Sequence, residues 1–297
     1  MLGLMFDRPI KGIRPIWGIP GSAFYGAPLN LGFDVARAAI AQNVAIVAST
    51  DGAVFFAQLK DGVVSTQAIN APPSPDAIAI SSSGAFAALY YHDQASITVL
   101  TLGAAPSVQN SIPAPDAISA LAISDDGKAL AYAQNTDSNS NLISLDAVAG
   151  TPRNVAQAVH IVAAAFLPGS EDLVFADDAG GAVVLVRGLL DTATATSLLS
   201  GDQRMLAPGA VQPSVNGTQI VVAGPKDGSI AILDLGGGDP VFLNCNCAPG
   251  NLAGLSSKTL YVLTGFQDGV VWLLDSSNPP RVLFVPPEND SASGPQQ

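Results

Sequence analysis

Charged residues are scarce in this sequence, and positively charged ones are the scarcest. Only 12% of the 297 residues are charged, and 12 Lys and Arg against 24 Asp and Glu leave a formal net charge of −12. An acidic chain repels phosphate backbones and anionic lipid, so the composition argues against nucleic-acid and membrane-surface binding. No apolar run approaches the roughly 18 to 20 residues of a membrane helix, so we expect no membrane insertion.

A recognisable export signal is also lacking in the sequence as it stands. The apolar start Met1–Phe6 is too short for the apolar region of a signal peptide, and no basic segment precedes it. We therefore expect a cytoplasmic protein if this start is the natural one. If a signal lies upstream, we expect an extracytoplasmic or cell-surface protein.

Cysteine and histidine are rare enough to restrict metal chemistry. The two cysteines, Cys245 and Cys247, are separated by one residue, and the two histidines, His92 and His160, lie far away in sequence. Zinc normally takes four protein ligands in a structural site. Three interpretations of the cysteines stay open: two semi-buried thiols, a C-x-C disulfide formed in an oxidising compartment, or part of a metal site.

What the chain does contain is apolar material and turn residues. It is 48% hydrophobic with a mean hydropathy of +0.36, which predicts a sizeable buried core. It has 29 glycines and 22 prolines, and its acidic residues are aspartates except for Glu171 and Glu288. Asp and Gly suit tight turns whereas Glu and Lys favour helices, so the composition predicts mostly β structure.

A repeat of about 43 residues runs along the chain, the period typical of four-stranded propeller blades. Six short β-prone runs each end in a turn that carries an aspartate, and these aspartates could form turns or, less simply, bind calcium. The runs are Val44–Ser49, Ala85–Tyr91, Ala129–Asn135, Asp172–Ala176, Gln219–Gly224 and Leu260–Gly265. The aspartates are Asp51, Asp93, Asp137, Asp178, Asp227 and Asp268.

Two further β-prone runs follow each aspartate, and a stretch of small residues precedes each first run, as in Val35–Ala41. Small side chains suit strands that crowd round a central axis. We therefore predict an all-β fold: a single β-propeller of six blades, each of four antiparallel strands, over residues 33–285. Residues 1–32 would form a strap or a closing strand, and residues 286–297 a disordered tail. The alternative is seven blades, with a degenerate N-terminal blade.

One segment supports the propeller interpretation by resemblance. Ser124–Tyr132 reads S-D-D-G-K-A-L-A-Y, which resembles the S-P-D-G-K-x-L-A-Y signature of TolB-like and YVTN-type bacterial propellers, with Asp125 in place of the proline. Over its whole length the chain resembles bacterial propellers with WD40-like repeats. The resemblance implies blade geometry and not an activity, because one fold supports many functions.

The sequence leaves two functions to compare. Our leading hypothesis is a non-catalytic, monomeric scaffold without a cofactor, which binds a protein partner or a small ligand through its mouth loops. The alternative follows a resemblance to lactonase-type propellers, which place carboxylate and amide ligands round a metal at the channel mouth. The polar residues on predicted inner strands and entry loops are Asp34, Arg37, Asp76, Asp116, His160, Gln212 and Asn251. The hydrolase hypothesis uses five of them as channel-mouth candidates: Asp34, Asp76, Asp116, His160 and Asn251.

Overall fold

The computed structural model describes residues 1–60, 63–266 and 270–287. Its regular elements are β-strands, and no helix among the described residues is long and apolar enough to span a membrane. The strands are β1 (Gly3–Asp7), β2 (Gly12–Ile19), β3 (Ser22–Tyr25), β4 (Val35–Ala41), β5 (Val44–Ser49), β6 (Val54–Lys60), β7 (Val63–Ile69), β8 (Ala77–Ile80), β9 (Phe86–Tyr91), β10 (Ser96–Thr101), β11 (Ser107–Pro113), β12 (Ala120–Ile123), β13 (Ala129–Asn135), β14 (Ser140–Asp146), β15 (Pro152–Ala158), β16 (Ile161–Phe166), β17 (Leu173–Asp177), β18 (Ala182–Arg187), β19 (Thr194–Ser200), β20 (Ala210–Pro213), β21 (Gln219–Gly224), β22 (Ser229–Asp234), β23 (Val241–Asn244), β24 (Ala253–Gly254), β25 (Leu260–Val262), β26 (Val271–Asp275) and β27 (Arg281–Val285).

Consecutive strands pair into seven sheets, which we call blades 1 to 7. Blade 1 is β1–β3, blade 2 is β4–β7, blade 3 is β8–β11, blade 4 is β12–β15, blade 5 is β16–β19, blade 6 is β20–β23 and blade 7 is β24–β27. Within every blade the neighbouring strands are antiparallel and follow chain order. Each blade is thus a meander, and β4, β8, β12, β16, β20 and β24 are the inner strands of blades 2 to 7.

The sequence repeat corresponds to blades 2 to 7. The run Val44–Ser49 is β5, the second strand of its blade, and the small-residue stretch Val35–Ala41 is the inner strand β4. The outermost strands β7, β11 and β15 are mostly exposed, as expected for the most variable run of the repeat. The prediction of an all-β propeller of WD40-like repeats is therefore confirmed for this part of the chain.

The prediction of six blades is wrong, because the N-terminal residues form a further blade. β1, β2 and β3 make a three-stranded sheet, so the arrangement with a seventh, N-terminal blade is the one found. The sequence favours six blades over this alternative because the N-terminal blade has three strands instead of four, does not follow the repeat and is rich in proline. Pro15 lies in its central strand, a position that a proline normally weakens.

The sheet tolerates Pro15 because a neighbouring side chain supplies the donor that the proline lacks. Ile16 turns its carbonyl toward β1, where it accepts from the Leu2 N–H. Pro15 therefore turns toward the opposite edge, where its carbonyl accepts from the Gly26 N–H at 2.9 Å. The Gly26 carbonyl, which finds no N–H on Pro15, accepts from Arg14 Nη1 at 3.0 Å.

Backbone hydrogen bonds between the two chain ends close the ring. Tyr25 N–H donates to the Pro286 carbonyl at 3.1 Å, and Tyr25 forms an isolated parallel bridge with Pro287, which supplies the outer edge of blade 1. On the inner side, Ser256 N–H donates to the Leu2 carbonyl at 2.8 Å. Residues 288–297, the rest of the predicted disordered tail, lie outside the described residues.

The core follows the same seven-fold arrangement. Among the described residues, seven apolar clusters of buried side chains lie one at each interface between neighbouring blades. The two clusters that involve blade 1 contain Ile16 against blade 7 and Ile13 against blade 2, and both side chains are fully buried. Blade 1 is thus packed on both faces like the other blades.

Candidate functional site

The inner strands of blades 2 to 7 surround a cavity of about 460 Å³. Its exposed lining is divided about equally between polar and apolar surface, with Ile40, Ile80, Leu121 and Val211 among the apolar residues. It extends to the turns that follow the inner strands, where the lining becomes polar: Gln42, Ser82, Ser83, Asp125, Ser257 and Lys258. Small inner-strand residues leave this space open, and its volume lies within the range of small-molecule sites.

Asp125 holds the rim of this mouth together across three blades. Its Oδ1 accepts from Ser83 N–H at 2.7 Å in blade 3, and its Oδ2 accepts from Gly169 N–H at 2.9 Å in blade 5. Ser82 Oγ donates to Oδ2 as well, at 3.3 Å. A proline, which the resembling signature has at this position, could make none of these bonds. The substitution therefore gives this chain a carboxylate that joins neighbouring turns.

Lys258 is the contrasting charged group at the same mouth. It lies in the turn between β24 and β25, is exposed and lines the cavity. Among the residues that the structure describes, its ammonium has no ion pair or hydrogen bond. The other lysine on these turns, Lys128, lies 3.4 Å from the Asp126 carboxylate. The ammonium of Lys258 is thus free to meet a ligand.

Gln212 provides a polar group deeper in the cavity. It lies on β20, lines the cavity and places its amide beside Gly254 on the neighbouring inner strand. Its Nε2 donates to the Pro213 carbonyl at 3.4 Å, a long contact that leaves most of the amide's bonding capacity unused. The site therefore combines apolar surface with an amide and an ammonium on adjacent blades.

The five sequence-predicted candidates lie elsewhere, at the start of the inner strands. None of Asp34, Asp76, Asp116, His160 and Asn251 lines the described cavity. They precede the inner strands, whereas the cavity mouth is built by the turns that follow them. Even a four-residue inner strand spans about 13 Å, which separates the two ends.

Two of these candidates, Asp76 and Asp116, are brought together by His92. The Asp76 carboxylate accepts from the His92 backbone N–H at 2.7 Å, and His92 Nδ1 contacts the Asp116 carbonyl. Nearby, Tyr90 donates its hydroxyl to the Pro115 carbonyl at 3.0 Å. Burial raises the pKa of Tyr90, and the negative charges of Asp76 and Asp116 raise it further. The paired Pro-Asp-Ala-Ile sequences thus meet at one point of the entry side.

His160 belongs to a separate ionic group. Its Nδ1 lies 2.7 Å from Asp178 Oδ1, and Lys226 of blade 6 reaches Asp178 Oδ2 at 3.2 Å. Burial acts to raise the pKa of Asp178, but the bonds from His160 and Lys226 outweigh it and lower the pKa. These contacts join blades 5 and 6 at their turns.

Asp34 and Asn251 remain apart from the other candidates. Asp34 faces Lys11 at 3.8 Å across the boundary of blades 1 and 2, and Asn251 uses its backbone N–H to bond Leu263. In the described parts of the chain, no three His, Cys, Asp or Glu side chains group closely enough to hold a metal ion. The entry side therefore has dispersed polar pairs.

Two of the repeated turn aspartates, Asp51 and Asp227, bond within their own turns, unlike Asp178. Asp51 accepts from Ser49 Oγ, which lowers its pKa. For Asp227, burial acts to raise the pKa, but bonds from the Ser229 hydroxyl and N–H lower it overall. Asp268 lies outside the described residues.

The structure resolves the alternatives for the cysteines. Cys245 and Cys247 are joined in a disulfide in the segment between β23 and β24. Cys245 is buried, and its N–H donates to the Gly228 carbonyl at 2.8 Å. The disulfide thus tightens the connection between blades 6 and 7.

Comparisons with known proteins identify the fold and nothing more specific. No protein-family model matches the chain, and no curated protein matches it. A functionally unknown protein from Desulfotomaculum acetoxidans has a TM-score of 0.65 at 13% identity, over 97% of this chain and 99% of that one. A "putative 6-phosphogluconolactonase" from Bacteroides fragilis has a TM-score of 0.65 at 13% identity, over 96% and 94% of the two chains.

WD40 proteins are similar as well. The structure of the RRP9 WD40 repeats has a TM-score of 0.57 at 15% identity, over 82% of this chain and 78% of that one. Identities this low show a shared fold and not a shared activity. The predicted resemblance to YVTN-type and WD40-like propellers is therefore confirmed at the level of fold.

Sequence reasoning found Gln212 but missed the rim residues Gln42, Asp125 and Lys258. They lie in the turns after the inner strands, which the repeat alignment explained as hairpin turns alone. Asp125 carried a signal, because it departs from the proline of the signature. Lys258 carried another, because it is a lysine in a turn whose counterparts in other blades are mostly Gly, Ser and Asn.

Proposed function

We propose that this chain is a non-catalytic binding propeller that holds a small molecule in the channel cavity bounded by Lys258 and Asp125. The single observation that carries the proposal is the cavity itself, about 460 Å³ in volume, whose lining joins apolar residues of several inner strands to polar groups of the turns. Concave apolar sites with a few convergent polar groups are the usual form of small-molecule sites. The dispersed polar pairs of the entry side offer no comparable arrangement.

A channel-filling substitution tests this proposal. Gln212→Trp places a large ring in the cavity, whereas the matched control Gln67→Trp adds the same ring on the exposed outer strand β7. We would screen a set of small neutral, anionic and cationic molecules by saturation-transfer NMR against the wild type and both variants. We expect ligands that bind the wild type and the control to lose binding to Gln212→Trp. If no molecule binds, or if binding is indifferent to Gln212→Trp, the proposal is wrong.

A lactonase-type hydrolase is the second candidate function. It is favoured by the name of the Bacteroides fragilis neighbour and by the contacts of His92 on the entry side, where its N–H donates to the Asp76 carboxylate and its ring meets the Asp116 backbone carbonyl. These contacts do not form a group of three metal-binding side chains among the described residues. The active site of such a hydrolase would lie on the entry side, at the opposite end of the inner strands from the mouth of the cavity. Hydrolysis of 6-phosphogluconolactone after addition of calcium or zinc, lost in Asp76→Asn, would support it over the binding function. No turnover with either metal would remove it.

A further inference from the structure

We propose that the ligand of the channel is a small molecule with an apolar body and a single carboxylate, which binds at Lys258. This inference rests on the proposed binding function, because it assigns the ligand class of the same cavity. It is carried by the distribution of apolar surface and of unpaired charge round the channel.

The apolar half of the lining favours a ligand with an apolar body. Ile40, Ile80, Leu121 and Val211 line the cavity from four different inner strands, so a ligand in the channel meets hydrocarbon from several blades. Transfer of apolar ligand surface from water to such a wall is favourable, at about 25 cal/mol for each Å² buried. A fully polar molecule would gain nothing from this apolar half of the lining.

The rim selects for a negative group. Lys258 offers an ammonium that no described residue pairs with. The carboxylate of Asp125 already accepts from three donors on blades 3 and 5, so it offers less to a cationic ligand. Asp125 belongs to blade 4 and Lys258 to blade 7. In a ring of seven blades these lie nearly opposite each other, which keeps an anion at Lys258 away from the carboxylate.

The neighbouring amide adds a second contact for the same group. Gln212 on blade 6 lies beside Gly254 on blade 7, the blade that carries Lys258. The Gln212 amide and the Lys258 ammonium line the same cavity, and both are donors suited to carboxylate oxygens. The long-range field of a chain with net charge −12 opposes anions. Recognition of an anion therefore depends on these two local donors. Removal of the Lys258 side chain removes the positive charge that they provide.

Three probes with one alkyl chain and different headgroups test the inference: octanoate, octan-1-ol and octylammonium. Their affinities for the full chain would be measured by isothermal titration calorimetry, with wild type, Lys258→Gln and the control Lys60→Gln. Lys60 is an exposed lysine on β6 that does not line the cavity. We expect octanoate to bind wild type and Lys60→Gln most tightly, and about five-fold more weakly to Lys258→Gln, the size of effect that an exposed ion pair supports. Octan-1-ol should be unaffected by either change.

The outcomes separate this inference from the proposed function. If octan-1-ol or octylammonium binds as tightly as octanoate, and Gln212→Trp abolishes that binding, the channel is a ligand site but the inference is wrong. If octanoate binds equally to wild type and Lys258→Gln, the inference is also wrong. If none of the probes binds while other molecules bind in the channel, the ligand class is wrong and the binding function stands. Thermal melting of each variant checks that it is folded.

Discussion

Truncation of Ile16 in the N-terminal blade should destabilise the whole propeller. Ile16 lies on β2, is fully buried and packs with Leu260, Val271 and Val285 of blade 7. Ile16→Ala removes three carbon atoms, which at about 0.8 kcal/mol each cost about 2.4 kcal/mol of transfer free energy. The cavity left behind adds to this, because a rigid interface relaxes only partly. We expect a total loss of about 3–4 kcal/mol, within the range measured for such truncations.

The same strand supplies the control. Ile19 is 67% exposed, so Ile19→Ala removes the same atoms from a side chain that is mostly in water. We expect that change to stay within about 0.5 kcal/mol, as is usual for surface substitutions. The free energy of unfolding would be measured by urea denaturation, followed by circular dichroism and tryptophan fluorescence. Equal effects of the two substitutions would refute the conclusion that β1–β3 form an integral blade.

Three further changes test other parts of the ring. Asp125→Ala removes the acceptor of two backbone N–H groups and one hydroxyl at a half-buried position and should cost about 1–3 kcal/mol in urea denaturation. The bond from Arg204 lowers the pKa of Asp202 from 3.8 to about 2. The stabilisation of the folded state by the ionised Asp202 is therefore complete above pH 3.8 and is lost as the pH falls toward 2. Asp202→Asn should therefore make the acid-induced loss of stability shallower in that window. Reduction of the Cys245–Cys247 disulfide should cost about 1.5 kcal/mol, because so short a loop restrains the unfolded chain little.

Each of these predictions has a matched comparison. Asp93→Ala alters a turn aspartate with no described contact. It should therefore change the free energy of unfolding much less than Asp125→Ala does. An acid titration of stability in which Asp202→Asn parallels the wild type would contradict the role of Arg204. For the disulfide, Cys245→Ser with Cys247→Ser should match the reduced wild type. A stability unchanged by reduction would show that the connection between blades 6 and 7 does not depend on it.

Much of the fold could be predicted because the repeat follows from the strand and turn preferences of residues close together in the chain. The alternation of short β-prone runs with Asp and Gly turns specifies hairpins residue by residue, as in β5–β6 with Asp51-Gly52 and β21–β22 with Asp227-Gly228. Blade 1 could not be predicted in this way, since its strands do not follow the period and Pro15 argues against a central strand. What makes it a blade is burial of Ile13 and Ile16 against two blades that are distant in sequence, together with the bond between Tyr25 and Pro286.

The candidate site shows the same division. The sequence indicated which residue types lie at the inner strands, and Gln212 was among those it named. It could not show at which end of the channel a cavity forms, because that depends on how six inner strands converge round one axis. The carboxylates and histidine at the strand starts looked most reactive, yet they pair with turns of their own or neighbouring blades.

Composition and period by themselves determined that this protein is a β-propeller with hairpin turns rich in aspartate and glycine, because turn and strand preferences act between near neighbours in the chain. The tertiary structure decided the number of blades, the closure of the ring, the pairing of Asp125 with two neighbouring blades and the free position of Lys258 at the mouth of the channel. Each of these depends on contacts between residues far apart in sequence, which are set by the packing of whole blades.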